Sequence, residues 1–199
     1  MTVAVRRIGA ESSATRARIL EAAERLIREE GYGAVSTRRV AAEAGIKPSL
    51  VHYYFPATDD LWLAMFRHGA EQSDAMLGQA LAAPDPLRAL WAFFADTSRT
   101  GLALEFMALA QHKEAVRAEM VEHSERMRAR QIEALTRLIG ERLAGPGGCP
   151  PAGLSVVLAG IGRALIMEGA LGVSTGHAEA RAYVEQWIEQ LTGEGDAGA

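Results

Sequence analysis

The stretch Thr37 to Phe55, T-R-R-V-A-A-E-A-G-I-K-P-S-L-V-H-Y-Y-F, constrains the fold more than any other part of the chain. With Thr37 as position one, Val40 and Ala44 fall at positions four and eight, one helical turn apart on a single face. Ala41 at position five is small, where two crossing helices must approach closely. Gly45 at nine can take the left-handed backbone that stops a first helix. Ile46 at ten and Val51 at fifteen supply an apolar plug between the helices. Pro48 at twelve suits the first turn of a second helix, where its missing N–H would be unpaired anyway. A plain helical hairpin of a bundle meets some of these conditions. All of them together predict a helix-turn-helix that reads DNA.

The charge of the whole chain argues the other way, because 199 residues carry a net of −4. That average hides an asymmetry. Residues 1–56 hold nine Lys/Arg against six Asp/Glu, a net of +3, whereas residues 57–199 hold twelve against nineteen, a net of −7. A basic N-terminal part on an acidic body fits a small DNA reader joined to a separate sensing or pairing domain. The single cysteine, Cys149, permits no intramolecular disulfide, which fits a reducing, cytoplasmic setting. Arg6 and Arg7 are not followed by an apolar segment, so no signal peptide is read. The apolar run Leu154 to Val173 is interrupted by Arg163 and Glu168 and is not read as a membrane span.

In chain order, residues 1–12 read as an arm whose Arg6 and Arg7 are candidates for phosphate or minor-groove contact. From Ser13 to Glu30, Ile19, Ala22, Ala23, Leu26 and Ile27 recur at helical spacing, and Gly31 ends the helix. Ser36 is a candidate N-cap for the next helix, and Phe55-Pro56 closes the third. Thr58 is expected to cap a fourth helix, with Asp59 and Asp60 favourable at its N-terminus, running to about Leu81. Ala83-Pro84-Asp85-Pro86 and Gly145–Pro151 are breakers. Helices are expected over Leu87–Ser98, Gly101–His112, Glu114–Leu143, Ala152–Leu171 and His177–Leu191, with a tail from Gly193. No stretch alternates with a period of two for long enough to be a strand. The reading is all-α with about nine helices, divided into 1–57, the arm and DNA reader, and 58–199, a helical domain for ligand binding and dimerisation.

Gly31-Tyr32-Gly33, the helix-turn-helix and Phe55-Pro56, within residues 15–62, resemble the N-terminal domain of the TetR/AcrR family of transcriptional regulators. The resemblance implies a homodimer that represses by occupying a palindromic operator and lets go when a small molecule enters the second domain. It places Ser36, Thr37 and Arg38 at phosphates, and puts Lys47 in a turn position usually held by Ser or Thr. Pro48 and Ser49 open the recognition helix and face the groove. His52 stands where the family has a Tyr on phosphate, Tyr53 where an aromatic or His reaches a base methyl or phosphate, and Tyr54 follows it. Thr58 occupies a position where a Lys is common, which removes a cationic contact. Independently of the family, a recognition helix without Arg, Asn or Gln at its tip makes few bidentate base contacts. Shape readout and contacts to thymine methyls are therefore expected to matter.

In the second domain, Leu102–Ala110 is apolar almost all round and predicts a buried helix, with Glu105 as its odd residue. A buried carboxylate needs a partner. Either Glu105 pairs with Arg99, Arg163 or an Arg within 126–130, or it anchors a ligand in an apolar cavity. Candidate lining residues are Trp91, Phe93, Phe94, Phe106, Met107, Leu109, His112, Met120 and Met127, a set that fits a bulky hydrophobic effector. His112 and His123 are eleven residues apart, which on one continuous helix is about 16 Å, too far to share a metal. No nucleophile motif is present, and Gly160-Ile-Gly162 lacks the strand and third glycine of a dinucleotide loop, so neither enzyme nor cofactor is expected. Small residues spaced by about seven in Ala152–Leu171 leave room for a close helix. Leu158, Gly162, Leu165, Ile166 and Gly169, with Tyr183, Val184, Trp187 and Ile188, match the position of the family's four-helix dimer interface. The rival readings are an activator of the same fold, a helical small-molecule carrier that does not touch DNA, and a small all-α enzyme using Glu105 or His112.

Overall fold

The computed structural model describes residues 14–96, 100–140, 142 and 148–192. The arm with Arg6 and Arg7, the tail from Gly193, and Arg99 lie outside the described residues. Nine α-helices and one 3₁₀ turn make up the described part, with no strand among them. They are α1 Ala14–Glu30, α2 Thr37–Glu43, α3 Pro48–Tyr54, α4 Thr58–Leu81, α5 Pro86–Ala95, α6 Thr100–Ala110, α7 Glu114–Ile139, α8 Pro151–Ala170 and α9 His177–Thr192, with the 3₁₀ turn at Tyr32–Ala34.

Contacts divide the chain into two compact units, residues 1–71 with 101–121 and residues 72–100 with 122–199. The expected boundary at 57/58 therefore lies inside the first unit. α4 and α7 each contribute to both units, and α6 from Gly101 belongs with the N-terminal helices.

Unit 1 is built on α1, whose Ile19, Leu20, Ala22, Ala23, Leu26 and Ile27 are buried on one face. Gly31 stops the helix at φ 81°, a left-handed backbone that side chains rarely adopt. The core of unit 1 also takes in Val40 and Ala41 of α2, Val51 of α3 and Phe55 just after it, Leu61, Trp62 and Met65 of α4, and Phe106, Leu109 and Ala110 of α6. The Trp62 and Phe66 rings meet Phe106 edge to face at 6.3 and 5.6 Å. α6 is not buried all round as its composition predicts. Phe106 and Leu109 face the core, while Met107 is half exposed on the other side. α6 also ends at Ala110, so His112 stands in a turn and shares no helix with His123. At the start of α4, Thr58 is the first helical residue rather than the cap. Asp60 takes the capping role by accepting the Ala57 N–H at 2.9 Å.

Unit 2 has its own core of Leu77, Leu87, Leu90, Trp91, Phe94, Met127, Leu135, Leu154, Leu158, Leu165, Val184 and Ile188. α5 starts with the Asp85 side chain accepting the Arg88 N–H at 3.0 Å and Pro86 in the first turn. α5 then crosses α8 at Gly162, where an added methyl would stand 2.2 Å from the Phe94 carbonyl oxygen. α7 and α8 are joined by a buried polar chain. Arg128 donates to the Ser155 hydroxyl at 2.7 Å, and Ser155 donates to Gln131 Oε1 at 2.7 Å.

The residues expected at a dimer interface divide by burial. Leu158, Gly162, Leu165, Ile166, Val184 and Ile188 are buried within the chain, and Trp187 packs against the same core. The close neighbour at Gly162 is α5 of the same chain, whereas nothing lies within 4 Å of a methyl added at Gly160 or Gly169. Gly169 and Tyr183 alone of that set stay exposed. α8 has the length and mean hydropathy, 1.4, to cross a membrane, but it carries Arg163 and Glu168 and lends one face to the unit 2 core.

Candidate nucleic-acid interface

The turn between α2 and α3 follows from its residues. Ser36 caps α2 by accepting the Arg39 N–H at 3.3 Å. Gly45 ends the helix at φ 65°, and the Ile46 N–H returns to the Ala41 carbonyl at 2.9 Å, the closure a left-handed cap produces. Pro48 opens α3, Val51 is 1 % exposed in the core, and the Phe55 N–H ends the helix on the Val51 carbonyl at 2.8 Å. The Arg16 guanidinium lies over the Phe55 ring, 5.3 Å from its centroid.

With Val51 facing inward, the opposite surface of the motif presents Ser36, Arg38, Lys47, Pro48, Ser49, His52 and Tyr53 to solvent, with Thr37 half buried beside them and Thr58 exposed just beyond. Tyr53 is 49 % exposed, whereas Tyr54 packs partly into the unit 1 core and meets the Tyr53 ring edge to face at 5.2 Å. Tyr54 thus supports Tyr53 in place of lying on the open face. Leu50 is 36 % exposed on that face and was missed by sequence reasoning. Its signal is a second apolar stripe, Ile46, Leu50 and Tyr53, at spacings of four and three.

The basic residues of this unit divide by partner. Arg25 bonds Glu43 at 2.8 Å, Arg28 bonds Glu24 at 2.5 Å, and Arg39 holds both carboxylate oxygens of Glu30. The hydrogen bonds to Arg39 lower the Glu30 carboxyl below its ordinary range, and Glu30 raises the Arg39 guanidinium. Arg18 is committed to the Ala44 carbonyl at 2.6 Å. Arg38 and Lys47 make no ion pair among the described residues, and both are exposed beside the motif. Exposed cations of this kind suit phosphates, which fix register, and an open helix face suits base edges, which carry sequence.

The candidate effector residues fall into both units. Glu105, Phe106, Met107, Leu109, His112 and Met120 belong to unit 1, and Trp91, Phe93, Phe94 and Met127 to unit 2. Glu105 pairs with no Arg among the described residues. Its Oε2 accepts the main-chain N–H of Tyr32 at 2.8 Å, in the turn between α1 and α2. Arg126 pairs with Glu122, and Arg130 with Asp74. Among the described residues no group of three or more His, Cys, Asp or Glu is placed to hold a metal.

Residues 19–65 match the family described as bacterial regulatory proteins, tetR family. A relative in Brucella suis, the HTH-type transcriptional regulator BetI, is 29% identical over 132 residues, covering 64% of this chain and 61% of its own length. BetI of Brucella anthropi is 42% identical over 53 residues, 27% of either chain. The chain thus spans less than two thirds of these relatives. Among solved structures, a TetR transcription regulator from Haloarcula marismortui superposes with a TM-score of 0.73 at 20% identity, covering 89% of this chain and 97% of its own. A putative transcriptional regulator from Saccharomonospora viridis in complex with choline gives 0.72 at 21% identity, covering 87% and 95%.

Proposed function

We propose that this chain, whose residues 19–65 match the tetR family of bacterial regulatory proteins, is a cytoplasmic, homodimeric repressor that binds a palindromic operator and releases it on binding a small effector. The observation that carries this reading is the exposed face of α2 and α3. A left-handed Gly45 and a buried Val51 set α3 in place, and Arg38, Lys47, Ser49 and Tyr53 are left on the open side. The same reading makes the protein a regulator and not an enzyme or a carrier.

Dimerisation is supported by an exposed apolar face on unit 2. Val156, Val157, Met167 and Leu171 of α8 and its end, with Tyr183 of α9, are between 46% and 82% exposed. Val156, Val157 and Met167 lie on the side of α8 opposite its buried face, and the exposed set gives a twofold partner apolar surface to cover. A twofold pair of α3 helices one turn of duplex apart, about 34 Å, would read a palindrome.

Effector coupling is supported by α6. Through Glu105 it holds the turn that leads into α2, so a ligand that displaces α6 or α4 alters the support of the reader. The effector must bind the released state more tightly than the operator-bound one. Choline, which the Saccharomonospora protein holds, is the first probe. A quaternary ammonium group is recognised by aromatic faces, and unit 1 offers Trp62, Phe66 and Phe106 while unit 2 offers Trp91, Phe93 and Phe94. The effector class is otherwise a small hydrophobic molecule.

The test is selection of duplexes from a random pool by the purified full chain at stated salt. An enriched inverted repeat supports the reading. A folded protein that enriches nothing overturns it and favours a carrier. Release of the enriched duplex by choline or by an apolar library member then tests the effector.

A further inference from the structure

The face of α3 carries more apolar surface than phosphate binding requires. Leu50 is 36 % exposed and Tyr53 49 % exposed, one turn apart on a helix otherwise anchored by Val51. Together with Ile46, Lys47 and Ser49 they line an open hollow of about 470 Å³. Apolar side chains at the rim of a hollow gain nothing from water, and while Ile46 also packs against the unit 1 core, Leu50 and Tyr53 have no place in it. Lys47 at the same rim is exposed and makes no ion pair among the described residues, so the hollow pairs an apolar floor with a cationic edge.

That combination matches one feature of duplex DNA. In the major groove the C5-methyl of thymine is the apolar projection among the base edges, and it lies next to anionic phosphates. Cytosine offers a donor there, and the purines offer acceptors. Neither Ile46, Leu50 nor the ring of Tyr53 can meet those groups with a hydrogen bond.

We propose that Leu50 is the residue that sets base preference, receiving a thymine methyl into the hollow it forms with Ile46 and Tyr53, while Lys47 holds the flanking phosphate. The proposal rests on the DNA-binding reading above. It adds where on α3 a thymine methyl is read and by which side chain. Each half-site then contains one thymine whose methyl, and not its hydrogen-bonding edge, determines affinity.

The experiment takes the duplex enriched by the full chain and replaces each thymine in turn with deoxyuridine, which removes the methyl alone. A buried methyl-sized group of about 0.8 kcal/mol predicts a loss of roughly fourfold at one thymine, and roughly fifteenfold when both half-sites are changed. Cytosine at that position weakens binding further, and 5-methylcytosine recovers part of the loss. Leu50→Ala, confirmed folded by its melting curve, binds more weakly and no longer distinguishes thymine from uracil. Equal binding to thymine and uracil duplexes at every position overturns the proposal while leaving DNA binding intact. Discrimination retained by Leu50→Ala overturns the assignment to Leu50. A selection that enriches no duplex overturns both the proposal and the reading beneath it.

Discussion

The Glu105 carboxylate on α6 accepts the main-chain N–H of Tyr32 at 2.8 Å, across 73 residues of sequence. It acts on the turn between α1 and α2, whose preceding glycine, Gly31, sits at φ 81°. A helix that follows the first sequence breaker thus holds the entrance to the DNA-reading motif. Glu105→Ala leaves a partly buried N–H unpaired and is expected to destabilise the protein by about 1–3 kcal/mol. Glu105→Gln, which keeps an acceptor oxygen, loses less. Urea denaturation gives both values, and an unchanged midpoint for Glu105→Ala would show that the contact contributes nothing. Under the proposed mechanism Glu105→Ala also reduces the effect of effector on operator affinity.

Two glycines of α8, two residues apart, should respond in opposite ways. Gly162→Ala drives a methyl to 2.2 Å from the Phe94 carbonyl oxygen and forces α5 and α8 apart, an overpacking that costs about 1–3 kcal/mol. At Gly160 nothing lies within 4 Å of an added methyl. Gly160→Ala is expected to raise the stability of the subunit by up to about 1 kcal/mol through helix propensity. Denaturation midpoints at low protein concentration separate the two. Similar losses at both positions would contradict the close crossing at Gly162.

The exposed side of α8 predicts the oligomer. Val157 is 50% exposed, whereas its neighbour Leu158 is 1% exposed in the core. Val157→Asp is expected to leave the helical spectrum intact and to weaken a dimer at least about a hundredfold, because a carboxylate would be buried unpaired. Leu158→Ala is expected to lower stability by about 2–5 kcal/mol instead. Sedimentation at micromolar concentration reads the first outcome. A wild-type chain that sediments as a monomer would exclude this interface.

Charge accounting on α2 gives a fourth test. Arg39 is held by Glu30, and the hydrogen bond lowers the Glu30 carboxyl. A depressed carboxyl keeps its pair above the unfolded Glu range near 4.3 and loses it as pH falls through its lower folded value. Between pH 5 and 8 the pair is therefore intact, and its contribution to the salt dependence of DNA binding is constant. Glu30→Gln frees Arg39 and is expected to steepen the slope of log K against log salt by up to about 2 for a dimer, near 0.9 per added phosphate contact. An unchanged slope would place Arg39 away from the backbone.

The motif was legible because its constraints are local. A left-handed glycine, a proline in a first turn and an apolar plug leave marks at fixed spacing, and Gly45, Pro48 and Val51 take the conformations or burial expected. The face of α8 was not legible in the same way. Small residues announce a close neighbour but do not name it, and the neighbour at Gly162 is α5 of the same chain. Glu105 announced a need for a partner. Its partner is a main-chain N–H, which no side chain marks in the sequence. Leu50 drew no reading because an apolar side chain carries no mark of the surface, yet a helix of seven residues with Val51 inward turns its neighbour out. The apolar stripe of α6 was overread because composition cannot tell a helix buried all round from one with Met107 exposed.

The central claim is that α3 and the preceding turn bind DNA, and operator affinity of Lys47→Ala and Tyr53→Ala tests it most directly. Both side chains are exposed and neither belongs to the core, so both variants are expected to fold. Titrations of the enriched duplex across a salt series should show Lys47→Ala binding more weakly, with a slope shallower by about 2 for the dimer. Tyr53→Ala should lose at least about tenfold in affinity, equivalent to about 1.4 kcal/mol. Wild-type affinity and slope in both folded variants would contradict the account and place the DNA-binding surface, if there is one, elsewhere on the chain.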